Sequence, residues 1–208
     1  MIEILKMHEK KFEQNGFHGE IHQAPVFKFF DKNSHVVFSA PHTTRTVING
    51  KSRFSDRFTG AITMYLGEKT DFSTIVRQKF IQKEVSIIDF VTENNLEGHF
   101  FLDVHGMRAD VPFELAVGTG YFAESKYEKQ LYIIERLAKK FGIKWILNHE
   151  NYQGKIGFTG KYQERYNQPN ILQLEWRKDM RDFIDFPQNV INKTISFLKD
   201  LAQAIEDI

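Results

Sequence analysis

The sequence predicts a three-layer αβα fold built on a mainly parallel or mixed central sheet. Three observations carry that prediction. Residues 35–39 are an apolar run of strand length without clean polar alternation, as in a strand buried on both faces, and 99–105 and 171–176 read as further strands. Helix-periodic segments of crossover length separate the strand runs. A chain of 208 residues is also long enough to bury a core of this size without covalent staples.

The elements follow in order. Residues 1–34 read as polar and irregular, broken by Gly16 and Gly19, and form an N-terminal extension packed on a single domain spanning 1–208. Within them, residues 26–30 after Pro25 read as an edge strand or hairpin arm, followed by a turn over 31–34. The strand at 35–39 ends at Ala40-Pro41-His42, because Pro41 cannot donate into a central ladder. His42 therefore lies just past a strand's carboxyl end, the edge where open α/β sheets bind ligands. Residues 43–56 read as a polar loop turning at Asn49-Gly50, before a helix over 55–66. A longer helix is expected over 73–94, with Ser73 as its N-cap and Val76, Phe80, Val85, Ile88 and Val91 as its stripe.

The strand at 99–105 is closed by Gly106, and 113–117 reads as a third strand. A helix over 124–141 carries the stripe Tyr127, Leu131, Ile134, Leu137 and Phe141. Strands are expected at 143–147 and 171–176. The last helix spans 187–205, with Pro187 in its first turn.

Composition narrows the function classes. The 28 basic and 27 acidic side chains are well mixed and sum to +1, with no basic stripe to neutralise a phosphate backbone, so no nucleic-acid partner is expected. The cluster Lys6, Lys10 and Lys11 reads as a solvated helix face. With no cysteine, disulfides, thiolate catalysis and Cys-ligated zinc are all removed, and any metal must be held by His, Asp or Glu. The first residues are too mixed for a signal peptide, and no window approaches 18 apolar residues. No membrane partner and a cytoplasmic location are the resulting expectations.

One arrangement stands out chemically. His42 and His105 each close an apolar strand and precede a loop. Parallel strands would bring both imidazoles to one sheet edge, where two neutral imidazoles and a carboxylate can hold zinc with a position open for water. Two rival chemistries lack their signatures: no Gly-x-Ser-x-Gly elbow and no Gly-x-x-x-x-Gly-Lys-Ser/Thr loop occurs. On the late strand Gln173, Glu175 and Arg177 share one face, while Leu172, Leu174 and Trp176 share the other. Polar residues on one face of an internal strand indicate a wet cavity.

Five segments, in order over about residues 36–180, resemble the N-formylglutamate amidohydrolase group, which is related to zinc carboxypeptidases and poly-γ-glutamate hydrolases. They are Ser39-Ala40-Pro41-His42, Asp56-Arg57-Phe58-Thr59-Gly60, Asp103-Val104-His105-Gly106, Ala116-Val117-Gly118-Thr119-Gly120 and Gln173-Leu174-Glu175. The resemblance implies a phosphorylase/hydrolase-like, zinc carboxypeptidase-like fold and one Zn2+ per chain. It also implies ligation by His42, His105 and Asp56, with Glu175 as the general base and acid.

Two departures stand beside it. Arg45 occupies the position where carboxypeptidases carry a ligating Glu, and Asp71-Phe72-Ser73-Thr74 stands where an Asp-x-Asn-Arg segment is expected. Asp103 and Glu68 compete with Asp56 as third ligand, and an Asp just ahead of an apolar helix also serves as an N-cap. Arg45, Arg108 and Arg177 each follow a proposed chemical residue closely. Their guanidinium groups suit a substrate carboxylate, and Arg108 or Arg177 suits a developing oxyanion. Gly160 is read as shaping the loop ahead of the Glu175 strand. The expected activity is hydrolysis of an amide bond in an anionic N-acyl amino acid or (γ-)glutamyl peptide-type substrate. A non-catalytic module that binds an anionic ligand in the same cavity is the alternative.

Overall fold

The computed structural model describes residues 1–20, 25–48, 51–81 and 86–208. The turn expected at Asn49-Gly50 and the stripe position Val85 lie outside the described residues. A mixed sheet holds β1 (Phe27–Phe30), β2 (Val36–Ala40), β5 (Ser73–Arg77), β6 (Phe100–Met107), β7 (Leu115–Gly118), β8 (Trp145–Leu147) and β9 (Ile171–Arg177). Its spatial order is β1-β5-β2-β6-β9-β7-β8. The neighbours β5, β2, β6 and β9 run parallel, β1 and β7 pair antiparallel on either side of them, and β8 runs parallel to β7. A separate antiparallel pair, β3 (Thr46–Ile48) with β4 (Lys51–Arg53), follows β2.

Strand alternation sorts the side chains between two layers. Val36, Phe38, Leu102, Val104, Leu172, Leu174 and Trp176 bury the larger face against α2 (Thr59–Lys69), α4 (Glu128–Phe141) and α7 (Gln188–Glu206). Each such Leu or Phe removed from water contributes about 1.5–3 kcal/mol before the entropy of ordering is subtracted. The opposite face buries Val37, Phe101 and Ile171 under α3 (Ile87–Glu93) and α5 (Phe158–Tyr166), with Phe101 edge-on to Phe158. Helices therefore cover both faces, as the sequence predicts. Among the described residues no helix is long and apolar enough to cross a membrane.

Four expectations need correction. Residues 1–34 are not irregular at their start: α1 (Ile2–Phe17) is helical as far as Glu13, leaves helical geometry at Gln14, Asn15 and Gly16, and packs against α2. Its buried stripe is Leu5, His8, Glu9 and Phe12, and the two polar members hide the helical period. The helix expected over 73–94 is a buried strand followed by a short helix. Thr74, Ile75 and Val76 are consecutive β-branched residues that favour extended backbone, and β5 pairs on both sides. Ser86, not Ser73, is the N-cap, its hydroxyl accepting from the Ile88 backbone N–H at 3.1 Å. Gly160 lies inside α5, not in a loop. A Cβ there would come within 2.1 Å of the Lys155 carbonyl oxygen, so glycine lets α5 pack directly on the preceding chain. Finally, α2 begins at Thr59, after a turn that carries Asp56.

Candidate active site at the carboxyl edge of the sheet

The face that is apolar at Val37, Phe101 and Ile171 turns polar toward the carboxyl ends of the same strands. Register places Ser39 beside Asp103, Asp103 beside Gln173, and His105 beside Glu175. All five are buried, in a continuous polar layer above the apolar one.

Asp103 is saturated. Its Oδ1 accepts from Ser39 Oγ at 2.8 Å, and its Oδ2 accepts from His105 Nε2 at 2.8 Å and Thr159 Oγ1 at 3.1 Å. Such a carboxylate orients the imidazole it holds. Glu68 lies elsewhere, paired with His8 Nε2 at 3.1 Å between α1 and α2. Of the three competing carboxylates, Asp56 alone presents an oxygen, Oδ2, to His105 Nδ1, at 3.2 Å.

Asp56 reaches that position through its backbone. Its N–H donates to the His42 carbonyl at 2.7 Å, and Thr59 Oγ1 donates to its carbonyl at 2.6 Å. Asp56 is not the N-cap of α2. That place belongs to Phe58, in the left-handed region at φ 73°, whose N–H donates to both oxygens of the buried Glu9 on α1. The His42 ring lies 5.0 Å from the His105 ring, centroid to centroid, with its Nδ1 3.2 Å from Thr46 Oγ1.

Burial and charge set the protonation states. Burial pushes the His42 imidazole down to about 4, helped by the charge of His105, so it is neutral at pH 7. Burial also disfavours the charged form of His105, but the Asp103 charge and the hydrogen bonds to Asp103 and Asp56 outweigh it and hold its pKa well above the usual value. Asp56 is the mirror case: burial opposes its ionisation, and the His105 hydrogen bond and charge more than offset this, holding its pKa low. Glu175 is raised to about 7 by burial, against the pull of the His105 charge and a hydrogen bond from Gln173 Nε2. A carboxyl poised near neutrality can both take and give a proton.

These side chains open on a cavity of about 450 Å³ lined by His42, Asp56, His105, Gln173 and Glu175. Its walls are Arg53 of β4, Arg108 after β6, and residues 150–157, including Tyr152 and Lys155. Gly154 sits at φ 79° in that wall, where a Cβ would stand 3.0 Å from Gln173 Oε1. The expected arginines separate. Arg108 stands at the cavity wall with its side chain 76% exposed, 3.1 Å from Asp110. Arg177 is turned away and held by Asp179 at 2.7 and 2.8 Å, with Glu114 at 3.8 Å. Arg45 does not line the cavity, and its guanidinium lies over the Phe54 ring at 5.3 Å.

Sequence reasoning did not single out Arg53, Lys155 or Thr159. Arg53 is three residues before Asp56, and its place is set by the β3–β4 pairing that the loop reading of 43–56 omits. Lys155 belongs to an irregular segment with no periodic signal.

The donor set agrees in kind with a catalytic zinc site: two imidazoles and one carboxylate. Ligand atoms about 2.0–2.2 Å from a tetrahedral zinc lie roughly 3.3 Å apart, and Asp56 Oδ2 and His105 Nδ1 are 3.2 Å apart. That contact is a hydrogen bond here. Among the described residues no three His, Asp or Glu side chains already surround a common metal position.

No family model and no curated protein matches the chain. Solved structures do. An N-formylglutamate amidohydrolase from Ralstonia eutropha JMP134 superposes with a TM-score of 0.53 at 10% identity, over 86% of this chain and 97% of that one. A bacteriophage poly-γ-glutamate hydrolase gives 0.53 at 14% identity, over 90% and 89%. The zinc-free apo form of the protein YNDL gives 0.51 at 11% identity, over 88% and 92%. The chain thus has the fold of these proteins, two of them hydrolases by name, in agreement with the likeness noted in its ordered segments.

Proposed function

We propose that this protein is a zinc-dependent hydrolase of amide bonds in small anionic substrates of the N-acyl amino acid or (γ-)glutamyl peptide type. The observation that carries the reading is the convergence of His42, Asp56, His105 and Glu175 on one cavity at the carboxyl edge of the parallel strands. In this reading His42, Asp56 and His105 hold the metal, with His105 fixed by its bond to Asp103. The neutral state of His42 at pH 7 suits ligation, because a metal binds the unprotonated nitrogen. When bound, zinc supplies a Lewis acid that polarises a carbonyl oxygen and acidifies water.

The chain's own residues do the rest. Glu175, 8% exposed and raised to about 7, accepts a proton at its carboxylate from the attacking water and returns it to the leaving nitrogen. Gln173 Nε2 donates to Glu175 Oε1 and fixes the direction of that carboxylate. The cations in the cavity wall, Arg53, Arg108 and Lys155, attract a substrate carboxylate. Arg108, which lines the cavity, takes the oxyanion-stabilising role in preference to Arg177, which does not line it and is held by Asp179. The buried polar layer holds the reacting groups out of bulk water, where their electrostatic effect is larger.

A screen of zinc-loaded protein against N-acyl amino acids and γ-glutamyl peptides tests the reading. Turnover that a chelator removes and zinc restores is expected. No turnover of any such amide by protein carrying stoichiometric zinc would favour a module that only binds an anionic ligand.

A further inference from the structure

Arg181, on α6 (Lys178–Arg181), is a buried arginine with 7% of its surface exposed. Its guanidinium hydrogen-bonds backbone carbonyls on three separate pieces of chain. Nε donates to Trp176 O at 3.1 Å, Nη2 donates to Met107 O at 3.1 Å, and Nη1 donates to Arg57 O. Each acceptor adjoins a residue of the site: Trp176 follows Glu175, Met107 lies two residues after His105, and Arg57 follows Asp56.

We propose that Arg181 is a positioning residue that sets the separation of Asp56 from His105 and Glu175 by tying the Asp56 turn to the ends of β6 and β9. The inference rests on reading Asp56 and His105 as metal ligands. β6 and β9 already pair with each other through their ladder. The Asp56 turn belongs to neither strand; its side chain meets β6 at His105, and Arg181 ties the turn's backbone to the backbone of both strands. The guanidinium suits the task because its planar fork donates in several fixed directions at once, which an ammonium cannot match. Its charge also acts on the half-buried Asp56 and the buried Glu175 and Glu9.

A second observation supports the assignment. Gly106, between His105 and Met107, has no positive φ and needs no glycine for its backbone. A Cβ at Gly106 would stand 2.5 Å from Arg181 Cζ and 2.6 Å from Nε. The space beside His105 is therefore kept open for this guanidinium. The glycine after the histidine and the distant Arg181 serve one packing arrangement.

The test uses the full chain with Arg181→Met, Arg181→Lys and Gly106→Ala, and exposed Arg136→Met as control. The zinc dissociation constant is measured by competition with a chromophoric chelator well below each melting temperature, beside the thermal unfolding of the zinc-free protein. Gly106→Ala and Arg181→Met are expected to weaken zinc binding by about 10- to 100-fold in folded protein. Arg181→Lys is expected to recover little of it, and the control Arg136→Met is expected to bind zinc as the native chain does. A lowered melting temperature with an unchanged zinc constant would overturn the proposal, since a merely structural arginine behaves that way. Where Arg181→Met does not fold, Gly106→Ala decides, because it keeps the charge and displaces only the guanidinium. Where that also fails, Arg181→Lys decides. If the native chain binds no zinc, the site reading fails; if native and variants bind it equally, only the role of Arg181 fails.

Discussion

His105 and Asp103, two residues apart on β6, are joined by a 2.8 Å hydrogen bond from Nε2 to Oδ2, which directs the other ring nitrogen at Asp56. One bond thereby decides which nitrogen of His105 faces the cavity. Asp103→Asn keeps the shape but weakens the acceptor. It is expected to lower zinc affinity by about 10- to 100-fold while the protein stays folded. Competition titration with a metal indicator measures this, and an affinity equal to the native one would show that Asp103 does not orient the ring.

Glu175 separates chemistry from binding. Glu175→Gln preserves size and removes the proton-accepting oxygen, so kcat is expected to fall by about 10²- to 10⁴-fold with KM nearly unchanged. Steady-state kinetics on the best amide from the screen gives the answer. Equal losses appearing only in KM would assign Glu175 to ligand binding.

The cations divide by position. Arg108→Ala, which removes the proposed oxyanion donor, is expected to lower kcat by about 10²-fold, whereas Lys155→Ala, at the cavity wall, is expected to raise KM by up to about 5-fold, the effect of losing one solvent-exposed ion pair. Arg177→Ala removes a side chain held by Asp179 outside the cavity and is expected to leave KM unchanged. The order reverses if Arg177 is the group that meets substrate.

Glu9 offers a pH test of the α1 contact. Burial raises its pKa to about 7, partly offset by the Phe58 N–H, whereas an unfolded glutamate titrates near the ordinary value of 4.5. The folded state therefore binds this proton more tightly, so the stabilisation is fully present below about pH 4.5 and is lost as pH rises through about 7. Glu9→Gln abolishes that titration and still accepts from Phe58. Urea unfolding of chelator-treated protein at pH 5 and pH 8 is expected to show the variant gaining about 1–3 kcal/mol on the native chain across the interval. An identical pH slope in both proteins would refute it.

The parts of this molecule that the sequence makes legible are those whose physics is local. The strands bearing Phe38, Leu102 and Leu174 are apolar on the face covered by α2, α4 and α7, and buried on both faces. Pro41 and Gly106 mark their ends, so the placement of His42 and His105 at one sheet edge follows from the chain itself. Glu175 was readable from the shared face of Gln173, Glu175 and Arg177. What escaped depends on long-range contacts. β5 reads as helix because Val76, Phe80, Ile88 and Val91 fall at helical spacing across what are two elements. α1 was invisible because His8 and Glu9 fill buried positions. Sequence proximity also misled with the arginines. Arg177 follows Glu175 by two residues yet turns to Asp179, while Arg53 reaches the cavity through the β3–β4 pair. The choice among Asp56, Asp103 and Glu68 rests on hydrogen bonds spanning up to 60 residues, such as His8 to Glu68.

The central claim is that Asp56, His42 and His105 hold one zinc ion. Elemental analysis of the native protein and of His105→Ala, both purified without chelator and equilibrated with equimolar zinc before desalting, tests it most directly. The account predicts about one zinc per native chain and almost none in the variant. Equal zinc in both proteins, or none in either, would contradict it.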